Sequence, residues 1–203
     1  MTELTELHLD AIRESINISM GKAAATFSSM VSEHVSLSVP HLEFVTPDKT
    51  LNVLNINTES EMHYVFQKFK SEYFTSDVYL MFAREESLDL VKLFLGPDSD
   101  IHEMPQLEQE AITEIGNILL NACVGSLSNL LKSAIHGSLP EFRKGYARNI
   151  FNAANLRAAE DDMLMVVFIN FGVESKAIHG YILLVLDLDS FEKFKDHILK
   201  MLL

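Results

Sequence analysis

The sequence predicts an α+β fold in which two repeats share one antiparallel sheet. Three observations carry that expectation: a long amphipathic helical pattern that occurs twice, apolar β-like runs after each copy, and a constant offset of one hundred residues between the copies. The first long helix is read over roughly 6–34, where Ile12, Ile16, Met20, Ala23, Phe27 and Met30 recur at helical spacing and make one stripe. The second is read over roughly 106–136, where Ile112, Leu120, Cys123, Leu127 and Leu130 repeat that stripe with Gly116 as a gap. Pro105 suits the first turn of this helix, where a missing N–H costs nothing, and Pro40 and Pro140 lie beyond the two helix ends. β-like runs are expected at about 41–45, 51–57, 62–69 and 77–83, with counterparts at about 141–147, 149–155, 163–171 and 178–186. A shorter helix closes each half, at about 86–95 and 190–202, and Asp98-Ser99-Asp100 after Gly96-Pro97 reads as the connector.

The repeat is visible residue by residue. Residues 7–40 lie on 107–140 without a gap, with nine identities in thirty-four positions: Leu7, Ala11, Ile12, Glu14, Asn17, Ile18, Ser28, Ser38 and Pro40 meet their equals one hundred residues on. Polar positions match as well as apolar ones, so the similarity is more than a shared helical pattern. Two copies are too few for a solenoid. They predict a single unit over 1–203, a fused pseudo-dimer with repeats at about 6–97 and 103–203 around an approximate two-fold axis.

Charge and composition exclude several functions. The 203 residues are 48% hydrophobic and 22% charged, with 29 acidic and 16 basic side chains and a net charge of −13. Such a chain repels phosphate backbones and anionic bilayers, so neither nucleic acid nor membrane is an expected partner. The acidic start and the short apolar runs 163–169 and 181–186, far below the ~20 residues that span a bilayer, fit a cytoplasmic protein without a targeting signal. The single cysteine, Cys123, rules out an internal disulfide framework and falls on the apolar stripe, so it reads as packing. The eight histidines are dispersed without zinc-ligand spacing, Gly21-Lys22 lacks the loop of a phosphate-binding motif, and no G-x-S-x-G is present. Glu160-Asp161-Asp162 reads as a solvated turn, and Phe151, Phe168, Phe171 and Tyr181 as sheet core.

What stands out is a polar stripe on each long helix. At 100° per residue, Asp10, Glu14, Asn17 and Gly21 fall within about 60° of one another, away from the apolar stripe. Glu110, Glu114, Asn117 and Asn121 repeat the stripe on the second helix. A solvated face explains Glu. It does not explain choosing Asn, a mediocre helix-interior residue, twice in one register. The small residues nearby, Gly21, Ala23, Ala24 and Ala25 in one half and Ala122, Gly125 and Ser126 in the other, are read as close helix packing.

The pattern [DS]-x-x-x-E-x-x-N, present twice, resembles the CheC family of bacterial chemotaxis phosphatases, which includes CheX and FliY-type members. It reads Asp10-Ala11-Ile12-Arg13-Glu14-Ser15-Ile16-Asn17 in the first copy and Glu110-Ala111-Ile112-Thr113-Glu114-Ile115-Gly116-Asn117 in the second. Ile16 stands where the family has Gly, and Glu110 where it has Asp or Ser, so the second copy is the better match around the Asn. The resemblance implies a CheC-like pseudo-two-fold fold and a hydrolase acting on the aspartyl-phosphate of a CheY-like response regulator. It implies that Asn17 and Asn117 position the attacking water, that Glu14 and Glu114 dock on the regulator's lysine, and that the only Mg²⁺ is the regulator's, with no cofactor of this chain's own. A carboxamide suits the task because it accepts and donates hydrogen bonds at neutral pH without repelling phosphoryl oxygens. The resemblance also admits a non-catalytic adaptor that binds a response regulator, the receptor deamidase CheD or a flagellar switch component. A reading from another class is a structural dimerising domain, with the paired stripes a coincidence.

Overall fold

The computed structural model describes residues 4–31, 33–96, 105–151, 159, 162–173 and 176–201. The first helix, α1 (Glu6–Met30), buries Ile12, Ile16, Met20 and Phe27 completely. It ends at Val31, which turns extended while its N–H still bonds Phe27 O. Met30 is therefore on the last, exposed turn rather than on the buried stripe. The second long helix, α4 (Pro105–Leu131), begins at the expected proline. Lys132 follows in the left-handed region (φ 50°), and Ser133 N–H reaches back to Ser128 O at 3.2 Å, closing the helix end. By length and composition alone α4 could cross a membrane; here its apolar side packs on α1 and the sheet. The shorter helices are α3 (Arg84–Leu95), stopped by Gly96 at φ 96°, and α6 (Leu188–Met201). The connector expected at 98–100 lies outside the described residues.

Among the described residues eight strands form one sheet: β1 (Ser36–Ser38), β2 (Leu42–Val45), β3 (Glu61–Lys70), β4 (Thr75–Ala83), β5 (His136–Gly137), β6 (Glu141–Tyr146), β7 (Met163–Val173) and β8 (Lys176–Leu186). Two expected strands are corrected. The run at 51–57 opens on the helix α2 (Thr50–Leu54), which follows a 3-10 turn, Pro47–Lys49, and which Asn55 ends in the left-handed region. The run at 149–155 begins with α5 (Ala147–Ile150), and its part beyond Phe151 lies outside the described residues. Both runs are apolar because Leu54, Ile150 and Phe151 cover the second face of the sheet, and a short apolar run does not distinguish a strand from one helical turn. The strands β1 and β5 were not anticipated; at three and two residues they carry no alternation to read.

Strand order is β1-β7-β8-β4-β3-β5, with β2 also on β7 and β6 also on β3, every pair antiparallel. Each repeat thus lends its first two strands to the long hairpin of the other. Leu37 pairs with Phe171 and Gly137 with Phe69, so the hairpins of the two halves correspond at an offset of 102. At the centre, Leu80 pairs with Ile182, its own counterpart at that offset. An approximate two-fold axis therefore runs between β4 and β8, as the repeat predicts. The helices α1, α3, α4 and α6 lie on one face over a core that includes Ile12, Phe27, Val65, Leu80, Leu119, Leu127 and Ile182. At Gly116 helix α4 comes close to the sheet: a Cβ there would stand 2.5 Å from the Val65 side chain, so the gap in the apolar stripe is filled by β3 itself.

Candidate functional site

Both polar stripes lie on the outer side of their helices, away from the sheet. Glu14 and Glu114 are exposed, Asn17 and Asn117 half-buried, and none of the four enters the core. One helical turn separates each carboxylate from its carboxamide. Gly21 and Gly125 have open space where a Cβ would stand, so close packing does not require them. Instead Ala23, Thr26, Ile118, Ala122 and Gly125 line an open groove of about 490 Å³ between α1 and α4, with Lys22 and Asn121 at its side.

In the first site the carboxamide is occupied. Asn17 Oδ1 accepts the Val39 N–H at 2.7 Å, and Asn17 Nδ2 donates to Val39 O at 3.4 Å. Val39 is only 2% exposed, just past β1, so Asn17 ties the strand end down onto α1. Asp10 is bound to Arg13 at 2.7 Å. Asn17→Ala is expected to leave the buried Val39 N–H unpaired and to cost about 1–3 kcal/mol of stability. Chemical denaturation checks this, and an unchanged midpoint would show that the clamp contributes nothing.

The second site differs at each of these points. Asn121, the counterpart of Gly21, donates from Nδ2 to both the main-chain oxygen and Oδ1 of Asn117 at 2.7 Å. The Asn117 carboxamide is thereby oriented by its oxygen, and its own Nδ2 has no protein partner among the described residues. Leu139, the counterpart of Val39, is 86% exposed and makes no contact of the Val39 kind. Glu110 is held by Gln106 Nε2 at 3.1 Å, and Glu114 one turn before Asn117 is exposed without an ion pair among the described residues. The site offers a free amide donor beside a free carboxylate.

Other candidate chemistry falls away or changes. Cys123 is completely buried and burial alone pushes its thiol up to about 12, leaving it a packing residue. Among the described residues no group of three His, Cys, Asp or Glu side chains is placed to hold a metal ion. Asp162 is buried and closes a turn by accepting the Ala159 N–H at 2.7 Å, while Glu160 and Asp161 lie outside the described residues. Of the aromatics expected in the core, Phe151 and Phe171 are buried, and Phe168 and Tyr181 are half-buried on the second face. His63 on β3 is also buried, with Nδ1 3.0 Å from Ser87 Oγ and 3.1 Å from Glu108 Oε1. Desolvation lowers its pKa against the opposing pull of Glu108, so the ring is neutral near pH 7.

No family model matches the chain. Over 140 residues it is 22% identical to the CheY-P phosphatase CheC of Bacillus subtilis (strain 168). That match takes in 68% of this chain and 66% of the relative, just under two thirds of the relative's own length. The crystal structure of Thermotoga maritima FliY superposes with a TM-score of 0.73 at 20% identity, covering 98% of this chain and all of that one. The chain has the CheC/FliY-type fold. The FliM middle domain of H. pylori shares the fold at a TM-score of 0.63 and 12% identity, covering 96% of this chain and 99% of that one.

Within this fold the two Glu-Asn pairs occupy equivalent helices but different surroundings. Helical spacing in the sequence singles out all four residues. It placed Asn121 on the stripe without a role, and it missed Val39 and Leu139. The one available signal was the exchange of Gly21 for Asn121 between the copies; nothing in the chain marks Val39 as the partner of Asn17.

Proposed function

We propose that this protein is a phosphatase that hydrolyses the aspartyl-phosphate of a CheY-like response regulator, and that the second site does the work. The observation that carries the reading is the exposed Glu114 one turn before an Asn117 whose amide nitrogen is uncommitted. The acyl phosphate has a good leaving group, so the chain need only bring water in line with phosphorus. Asn117 Nδ2 donates toward the phosphoryl oxygens or the water, and the remaining lone pair of its Oδ1 accepts from the water. Glu114 pairs with the regulator's lysine and fixes the dock. Mg²⁺ belongs to the regulator and no cofactor is drawn from this chain. A cytoplasmic location follows from that substrate.

Likeness to a CheC whose name specifies CheY-P supports the substrate class. The test is release of phosphate from a phosphorylated receiver domain with and without the protein. Acceleration above the regulator's own rate is expected, and no acceleration with any CheY-like receiver of the same organism would overturn the reading. A second reading, a non-catalytic adaptor for a response regulator, CheD or a flagellar switch component, draws on the Asn17 clamp, which removes the first site's carboxamide from chemistry, and on the FliY-type fold. It predicts receiver binding without acceleration.

A further inference from the structure

The two halves place the same segment differently, and the difference begins on the neighbouring strand. In the first half Ser38 continues the β1–β7 ladder opposite Asn170, and Val39 then reaches Asn17. In the second half the counterpart of Asn170 is Lys68, and the ladder breaks beside it. Ser138 N–H still donates to Lys68 O at 2.8 Å, but Lys68 N–H returns to the Ser138 hydroxyl at 3.0 Å rather than to its carbonyl. The carbonyl is taken by the Gln67 side chain, whose Nε2 donates to Ser138 O at 2.6 Å. Gln67 is 3% exposed and faces the helix layer between Val65 and Phe69; its counterpart at the 102 offset is Ile169, which makes no such bond. Its Oε1 is buried without a hydrogen-bond partner. A buried orphan oxygen costs stability, and the apolar counterpart Ile169 avoids that cost. Gly137 leaves room for this arrangement, since a Cβ at that position would stand 2.7 Å from the Phe69 ring and 2.8 Å from Gln67 Nε2 and would crowd both.

We infer that Gln67 is a positioning residue for the second site: by holding the Ser138 carbonyl it turns Leu139 outward and prevents the Leu139 backbone from capping Asn117 as Val39 caps Asn17. Asn121 then takes the Asn117 oxygen that the strand end has left, and the amide nitrogen stays free. The functional consequence rests on the reading of Asn117 given above; the latch itself is a statement about the free protein.

The experiment replaces Gln67 by Ile, the residue of the other half, with Gln67→Leu as a second variant. Both remove the orphan oxygen and keep the volume apolar, and a cooperative unfolding transition verifies the fold. Amide hydrogen exchange is read at Leu139, with Val39 in the same molecule as the clamped reference. In wild type the Leu139 N–H should exchange freely and Val39 slowly; in the variants Leu139 should gain at least about tenfold protection, the sign of a newly formed hydrogen bond. Phosphate release from a phosphorylated receiver should fall about tenfold in parallel, because the rate scales with the uncapped fraction. If Leu139 exchanges as freely in both folded variants as in wild type, the latch is wrong whatever the activity does. If Leu139 becomes protected and phosphate release is unchanged, the latch stands and it is the assignment of Asn117 that fails.

Discussion

Asn117→Ala is expected to lower receiver dephosphorylation by on the order of 10²–10³ in rate, the usual loss when one preorganised polar group is removed. The loss should appear at saturating receiver, because in the proposed mechanism the amide acts on water and phosphoryl oxygens during attack rather than on the dock. Glu114→Ala should instead raise KM, since it removes the ion pair proposed to form on binding. The sequence repeat by itself leads one to expect residual activity from the first site in an Asn117 variant. The structure alters that expectation. Asn17 spends both ends of its carboxamide on Val39, so Asn117→Ala alone should fall close to the regulator's own rate. Asn17→Ala should keep the wild-type rate under conditions where it remains folded. Single-turnover release of phosphate from a pre-phosphorylated receiver separates these cases. Near-normal release by Asn117→Ala together with a collapse in Asn17→Ala would invert the assignment of the working site.

Phe27→Ala is expected to be the most damaging single change to the fold, at about 3–5 kcal/mol. The ring is completely buried under the last turns of α1. It meets Phe94 edge-on at 5.3 Å and 87°, and Phe171 at 5.4 Å and 61°, so one side chain joins α1 to α3 and to β7. Removing it leaves a cavity that three separate elements would have to move together to close. For a chain of this size the loss corresponds to a fall in Tm of roughly 10–15 °C. Phe27→Leu, which copies the counterpart Leu127, should lose much less. The same substitution loosens the strand end next to Phe171, so Val39 amide protection should drop along with stability. A loss under about 1 kcal/mol, measured by denaturant titration, would mean that the three elements collapse onto the cavity and are not held by this ring.

Much of this was legible in the chain because it is periodic. Helical spacing of Ile12, Ile16, Met20 and Phe27 determines which face of α1 is buried, since only one face of a 3.6-residue helix can meet the sheet. The hundred-residue offset determines that two such helices exist and that a shared sheet relates them, and Leu80 opposite Ile182 is its physical expression. Both Glu-Asn pairs were readable for the same reason: helix geometry alone sets them outward, side by side. The segments at 51–57 and 149–155 were misread where periodicity is too short to act, and their helical turns are decided by what they cover on the second face of the sheet.

The tertiary structure alone decided that the two sites are unequal. Gly116 is a gap in a pattern until Val65 is seen 2.5 Å from where its Cβ would be. Asn17 and Asn117 are identical in type, register and exposure class, yet one is capped by Val39 and the other left open beside an outward Leu139. The residues responsible come from elsewhere in the chain: Val39 from the strand beyond the helix, Gln67 from a hairpin of the other repeat. A repeat in sequence specifies equal local conformations. Hydrogen bonds between distant backbone groups are set only when the chain packs, and one polar substitution for Ile on a neighbouring strand is enough to direct them differently in the two halves.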